Sequence, residues 1–430
     1  MKKLIVLFLL SCAVSGGVAD AATYYVSKSG SDSNSCAQAQ TATTSKLTVN
    51  AGISCLSAGS TLLVRAGSYN EAIVSTPSGT SWSNKVRIAN YPNETVWLKP
   101  TTINESRNVI WLDGPFHFVE FDGINVDGTA AAAAILWTST NNGNDPHHIR
   151  FQNAEVIAGA VSGAGAINLG EHALIGATGS NEVINVVIHG GGTTGLCGYQ
   201  CSSYGIYIKG PNNLVENCDI YDTSGAGMQI YNATGDSPDG NIIRNNRIHD
   251  ITRTGSYDQV WGILAASGSN NQIYNNLIYG INVGNANSGN AGIAVSGDSN
   301  KVWNNTIVNN RNTGIIVGSG ASRTEVKNNI VYGSTGSNFI NSGSGTVLSN
   351  NLLDVDPLFV NQSGKDFQLQ AASPAVNAGS SLTFVTTDLN GVVRPQGSGP
   401  DIGAYEYRSG QSSSQPAAPV NLKIVATAAP

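Results

Sequence analysis

Three features of the chain predict an all-β solenoid, a parallel β-helix in which short strands stack coil on coil. Only 12% of its 430 residues are Asp, Glu, Lys or Arg, about half the usual ~25%, so the surface must be built from uncharged Asn, Ser, Thr and Gly. With 50 glycines and few charged helix formers, helical bundles are disfavoured, while 40% hydrophobic residues exclude a disordered chain. Third, one motif recurs: an apolar strand after Gly, a polar turn, and a second apolar strand holding Asn. It begins at Gly205, Gly227, Gly262, Gly292 and Gly314, and the matching asparagines Asn217, Asn245, Asn275, Asn304, Asn328 and Asn350 are spaced by 28, 30, 29, 24 and 22 residues. Units of this length bury their apolar face only by stacking on one another.

The elements follow in order. Met1-Lys2-Lys3, the apolar run Leu4 to Leu10 and the small residues ending Ala19-Asp20-Ala21 form a secretory signal peptide over residues 1–21, cleaved after Ala21. The mature protein is therefore expected outside the cytoplasm, secreted, periplasmic or at the cell surface. In that oxidising setting Cys36 and Cys55, which flank the N-terminal segment, are expected to pair, while Cys197, Cys201 and Cys218 leave one thiol over. The spacing in Leu47-Thr-Val-Asn-Ala-Gly-Ile-Ser-Cys predicts a short helix capping the first coil. Irregular coils precede the clear repeat, giving a β-helix over residues 22–355. In the repeat, Asn at each turn tolerates left-handed backbone angles, and stacked Asn amides can bond up the column. A segment richer in Pro and aromatics, 356–407, reads as a C-terminal cap, and 408–430 as a linker or tail.

No later stretch reaches the ~18 apolar residues of a membrane helix. A formal charge of −6 with no Lys/Arg run argues against nucleic acid as partner, and the protein is expected to be a monomer.

Tyr24-Tyr25-Val26, Gly30-Ser31-Asp32 and Leu62 through Glu71 resemble the first coil of the pectate-lyase-like superfamily of secreted right-handed parallel β-helix proteins. Asp356-Pro357-Leu358-Phe359 and Asp401-Ile402-Gly403-Ala404-Tyr405-Glu406 resemble the C-terminal segment of its bacterial members. The resemblance implies the right-handed fold and a carbohydrate partner; its members include lyases, hydrolases, epimerases and binding proteins.

Insertions at 190–204, 232–240, 251–261 and 281–291 fall in successive coils and should wall a cleft for an elongated ligand. Charge gathers at the same place: Asp236, Asp239, Arg244, Arg247, His249, Asp250, Arg253 and Asp258, with Lys209, Asp219 and Asp222 one coil earlier. Strand alternation turns Arg247 and His249 outward together, stacks Arg247 near Asp219, and brings Asp222 near Asp250. Stacked carboxylates raise a pKa or hold a cation.

These residue types suit β-elimination on a uronate polysaccharide. A cation neutralises the uronate carboxylate and a base removes the C5 proton. Asp236, Asp239 and Asp258 are candidate calcium ligands; Arg244, Arg247 or Arg253 would hold carboxylate; Lys209, His249 or Tyr257 would be the base, with Asp250 beside them. Tyr231 and Trp261 offer sugar contact, as do Tyr199 and Tyr204. Gly225 to Ile230 and Gly262 to Ser267 are similar to coils flanking the site of one calcium-dependent pectate lyase family, but the basic lysine which that resemblance implies near Ser267 is missing. Asp145-Pro146-His147 is similar to a motif of mannuronan C5-epimerases and reads here as a turn into a strand. The alternatives are a non-catalytic, adhesin-like glycan-binding protein, a glycoside hydrolase with carboxylates such as Asp222 and Asp250 ~6.5–9.5 Å apart, or an epimerase.

Overall fold

The structure, a computed structural model, describes residues 21–101, 108–131, 133–138, 146–159, 165–170, 179–190, 204–231, 237–251, 260–281 and 290–410. Coils stack through parallel pairing, and most coils contribute three short strands, the two flank strands running together as His147–Ile157 and Glu182–His189 in two of them. One strand joins a nine-stranded sheet, as Ala226–Ile230 does. The other two, such as Ile242–Arg244 and Arg247–His249, join a 21-stranded sheet that bends into two flanks. The sequence-predicted parallel β-helix is thus the observed fold.

Inside the coil, three apolar columns make the core. Ile206, Met228, Ile263, Ile293 and Ile315 are register partners in the nine-stranded sheet. Val215, Ile243, Ile273, Val302 and Val326 line the first flank, and Ile220, Ile248, Ile278, Ile307 and Val331 the second. All are essentially fully buried. The repeat glycines meet this core. A Cβ on Gly227 would lie 2.4 Å from Ile248 Cγ2, and one on Gly262 would lie 2.6 Å from Ile278 Cγ2. The second flank's isoleucines fill the space a side chain would need, which is why Gly opens each unit.

The six corner asparagines all adopt left-handed φ, between 48° and 57°, and each turns the chain from the first flank to the second. The amide ladder, however, runs mainly one residue later. Asn246 Nδ2 donates to Asn276 Oδ1 at 3.0 Å, Asn276 to Asn305 at 3.0 Å, Asn305 to Asn329 at 3.0 Å, and Asn329 to Asn351 at 2.8 Å. Within the predicted column only Asn328 to Asn304 is bonded in this way among the described residues. The second Asn of each pair faces the dry interior, where an unpaired amide is costly, so that is where amides pair with one another. A parallel ladder joins Asn213, Asn241 and Asn271 at the entry to the first flank.

At the N-terminal end, helix Val49–Ile53 covers the first coil with Val49 and Ile53 buried, and Thr48 caps it by accepting from the Ala51 N–H. The predicted Cys36–Cys55 disulfide is present. Residues 356–407 lie along the flanks of the later coils. Phe359, Phe367, Ile402 and Tyr405 pack on Leu277, Tyr279, Val308, Ile330 and Leu352, which are outward residues of the second flank. Corner amides hold the segment there: Asn275 donates to the Thr387 carbonyl, Asn328 to Ser380, and Asn350 to Ala378. Leu348, register partner of the buried Val326, remains 47% exposed on the last coil, so the segment shields the side of the solenoid more than its end.

Candidate functional site

Connections between the two flanks are two residues long, as between Glu216 and Asp219. Four of those entering or leaving the nine-stranded sheet are much longer, with 14 residues between His189 and Tyr204 and 11 each between Ile230 and Ile242, His249 and Trp261, and Tyr279 and Ala291. The insertions seen in the sequence therefore begin and end at both edges of the nine-stranded sheet, and its outward face is the candidate site.

On that face Tyr204-Gly205-Ile206-Tyr207-Ile208-Lys209 alternates as a half-buried strand should. Ile206 and Ile208 point into the core, while Tyr207 and Lys209 point out. The Lys209 ammonium sits 4.6 Å over the Tyr207 ring, and the Tyr204 ring meets Tyr207 edge-on at 5.3 Å. The next coil adds Gln229, register partner of Tyr207, and then Tyr231. Gln229 is 8% exposed and its buried Oε1 has no hydrogen-bond partner. Partly exposed Trp261 and Leu264 continue the face one coil on. A cation over an aromatic ring, further aromatics and an amide suit a polyhydroxylated ligand.

The structure divides the predicted site residues between two faces. Lys209, Tyr231 and Trp261 lie on the nine-stranded sheet. Arg244, Arg247, His249 and Asp250 lie on the flanks, where each forms an ion pair. Arg244 is bonded to Glu216 at 2.8 Å and to the Tyr274 hydroxyl at 3.1 Å. Burial works against its charge, but these two partners outweigh that and hold it firmly protonated. Arg247 stands 3.8 Å from Asp219, its register partner as predicted. His249 bonds Asp219 at 3.0 Å and Asp250 at 2.9 Å, with its ring between Tyr221 and Tyr279. Alternation does turn Arg247 and His249 outward, but this outward face belongs to the second flank, which the C-terminal segment covers.

Asp222 and Asp250 do meet, but through a backbone hydrogen bond from Asp222 N to the Asp250 carbonyl. The Asp250 carboxylate takes Lys365 Nζ at 2.7 Å. Burial would raise its pKa, but Lys365 and His249 outweigh that and hold it below the usual value. Asp239 accepts from the Ser269 N–H at 2.6 Å and from the Ser237 hydroxyl, organising a turn between coils. Asp236, Arg253, Tyr257 and Asp258 lie outside the described residues, as do Cys197, Cys201 and Tyr199; Cys218 is a buried free thiol. Pro146 leads directly into strand His147–Ile157, where His147 stacks on His117 of the preceding coil at 5.1 Å, away from the nine-stranded sheet. Sequence reasoning missed Tyr207 and Gln229, although alternation in the Gly-marked strands places both outward.

A family model described as "Right handed beta helix region" matches residues 108–291 and 172–353. The chain belongs to this right-handed β-helix family. Among solved structures, this β-helix is similar to pectate lyase Pel9A, with 18% identity over 91% of this chain and 98% of that one and a TM-score of 0.61. It is also similar to XylC in complex with xylose, at 12% identity, 89% and 98% coverage and TM-score 0.53, and to a rhamnogalacturonan lyase, at 14%, 80% and 91%, and 0.52. No curated protein sequence matches it. Among the described residues, no helix of the β-helix is long and apolar enough to cross a membrane.

Proposed function

We propose that this β-helix is an exported polysaccharide lyase that cleaves an acidic, uronate-containing polysaccharide on the outward face of its nine-stranded sheet. The observation that carries the reading is the grouping of Lys209, Tyr207, Tyr204, Gln229 and Tyr231 on one face, where the long connections begin and end. The pectate lyase and rhamnogalacturonan lyase among the similar structures support it. In β-elimination the base takes the C5 proton, its electron pair forms the C4=C5 double bond, and the C4–O4 bond breaks. The departing sugar oxygen is then protonated. Lys209 is the basic group on the described face. A cation neutralising the uronate carboxylate lowers the barrier to proton loss, and calcium is the candidate for that role.

Incubating the purified protein with pectate, alginate and glycosaminoglycans, with calcium or with chelator, tests this. Absorbance from the unsaturated uronate is expected with at least one polymer and lost in Lys209→Ala. No absorbance with any of them ends the lyase reading. The second reading is binding without chemistry. It is favoured by the engagement of Arg244, Arg247 and His249 in flank contacts, which leaves Lys209 the one predicted basic group placed on this face among the described residues. Glycan retention without product would establish it.

A further inference from the structure

Gln229 is over nine-tenths buried on the outward face of the nine-stranded sheet, and its Oε1 has no hydrogen-bond partner. A buried amide oxygen loses its water without compensation, and such atoms are rare in folded proteins. The neighbours in its column do not repair the loss. Tyr207 precedes it and Leu264 follows it in register, and a leucine has no donor. Asn168, two coils earlier on the same column, shows the satisfied alternative, since its side chain accepts from the Gly165 N–H and donates to the Gly165 and Ile135 carbonyls.

We propose that Gln229 is a ligand-reading residue whose Oε1 accepts a hydrogen bond from an uncharged donor on the glycan, a ring hydroxyl. The inference rests on the reading of this face as a polysaccharide site and adds what the ligand must present there. A carbonyl oxygen repels a carboxylate, so the acidic group of the sugar lies away from Gln229, toward the Lys209 ammonium one coil earlier. The column continues in register from Gln229 through Tyr207, Asn168 and Leu136 to Trp111, whose buried indole N–H also lacks a partner. Four strand steps of ~4.8 Å separate the two, roughly 19 Å. A glycan running along the solenoid axis therefore passes an acceptor at one end and a donor at the other.

The test compares pectate and alginate with their O-acetylated forms, in which hydroxyl donors are capped. Binding to wild type, Gln229→Met and Lys209→Met is followed by affinity electrophoresis and calorimetry. Wild type is expected to bind the free-hydroxyl polymer about tenfold more tightly than its acetylated form, the worth of one well-made hydrogen bond. Gln229→Met should bind both alike and melt no lower than wild type, because an apolar side chain replaces an unpaired amide. Lys209→Met should weaken binding to both forms and keep the ratio. An unchanged acetyl discrimination in Gln229→Met overturns the role of Gln229 while leaving the glycan site standing. If wild type binds none of the four polymers, both are overturned.

Discussion

The His249 ring lies flat on Tyr279, with centroids 4.9 Å apart and planes within 2° of parallel. It is one layer of a column that climbs the second flank from His189 through Tyr221 and His249 to Tyr279, where Phe367 of the C-terminal segment closes it. A histidine held between two rings and bonded through both nitrogens to Asp219 and Asp250 has a structural task. His249→Ala is therefore expected to destabilise the fold by about 2 kcal/mol, through lost stacking and two partly buried hydrogen bonds. Glycan binding and turnover should not change. Chemical denaturation with an activity assay below the transition checks both; a large fall in turnover at full folding would return His249 to the active site.

Lys209 is expected to behave in the opposite way. It extends from the rigid nine-stranded sheet over Tyr207, so Lys209→Met should leave the melting temperature within about a degree and lower turnover by at least ~100-fold, the usual contribution of a positioned acid or base. Tyr207→Leu removes the ring beneath the ammonium and should reduce turnover less. Steady-state kinetics on whichever uronate polymer is cleaved decides. Equal kinetics in wild type and Lys209→Met would leave the face a binding surface.

The contrast between these two residues shows how far the sequence could be read. Alternation and the Gly and Asn repeats gave the coil, its three strands and the corners, because those depend on neighbours within one unit and its copies. Alternation also turned Arg247 and His249 outward and stacked Arg247 on Asp219. It carried no information on which outward face would be buried. That depends on Phe367 and Tyr405, more than a hundred residues downstream, folding back over Tyr279. The cluster of charge at 236–258 was therefore legible as a cluster, but of its described members Arg244, Arg247, His249 and Asp250 serve the flanks and Asp239 a turn. Gln229 went unnoticed as a site residue because its signal is a missing hydrogen bond, which only three-dimensional neighbours can reveal.

The Asn pairs offer a sharper test of the ladder. Asn276 accepts from the Asn246 backbone and side chain and donates to the Ile243 carbonyl and to Asn305 Oδ1. Asn276→Ala would strand several buried groups at once, and a loss of about 3–5 kcal/mol is expected. Asn275, one residue before, has φ 53°, and its side chain bonds only the Thr387 carbonyl among the described residues. Asn275→Gly keeps the left-handed corner and should cost about 1 kcal/mol or less, whereas Asn275→Val forces a β-branched residue into that conformation and should cost more. Urea midpoints of the three variants measure the order; similar losses for Asn276→Ala and Asn275→Gly would refute the division of labour.

The Asp250–Lys365 pair makes attachment of the C-terminal segment pH-dependent, and the sign can be worked out. Burial opposes the Asp250 charge, but the bonds from Lys365 and His249 outweigh it, so the folded-state pKa lies below the usual carboxylate value. A carboxylate lowered in this way contributes stability above its unfolded pKa of ~3.9, and that contribution is lost as pH falls through the folded value. Asp388 and Asp401 in the segment itself are raised by burial, so their protonation in acid acts in the other direction. Comparing wild type with Lys365→Met isolates the pair. At pH 7 the variant should melt lower, and the gap should narrow as pH falls below about 4, where Asp250 protonates in the variant before it does beside Lys365 in wild type. Limited proteolysis should cut between residues 355 and 375 sooner in Lys365→Met at pH 7, with the two proteins converging at low pH. A melting-temperature gap that stays constant from pH 7 down to pH 3 would mean that Lys365 stabilises the segment by packing on Tyr279, over whose ring its ammonium also sits at 5.3 Å, and not by its charge on Asp250.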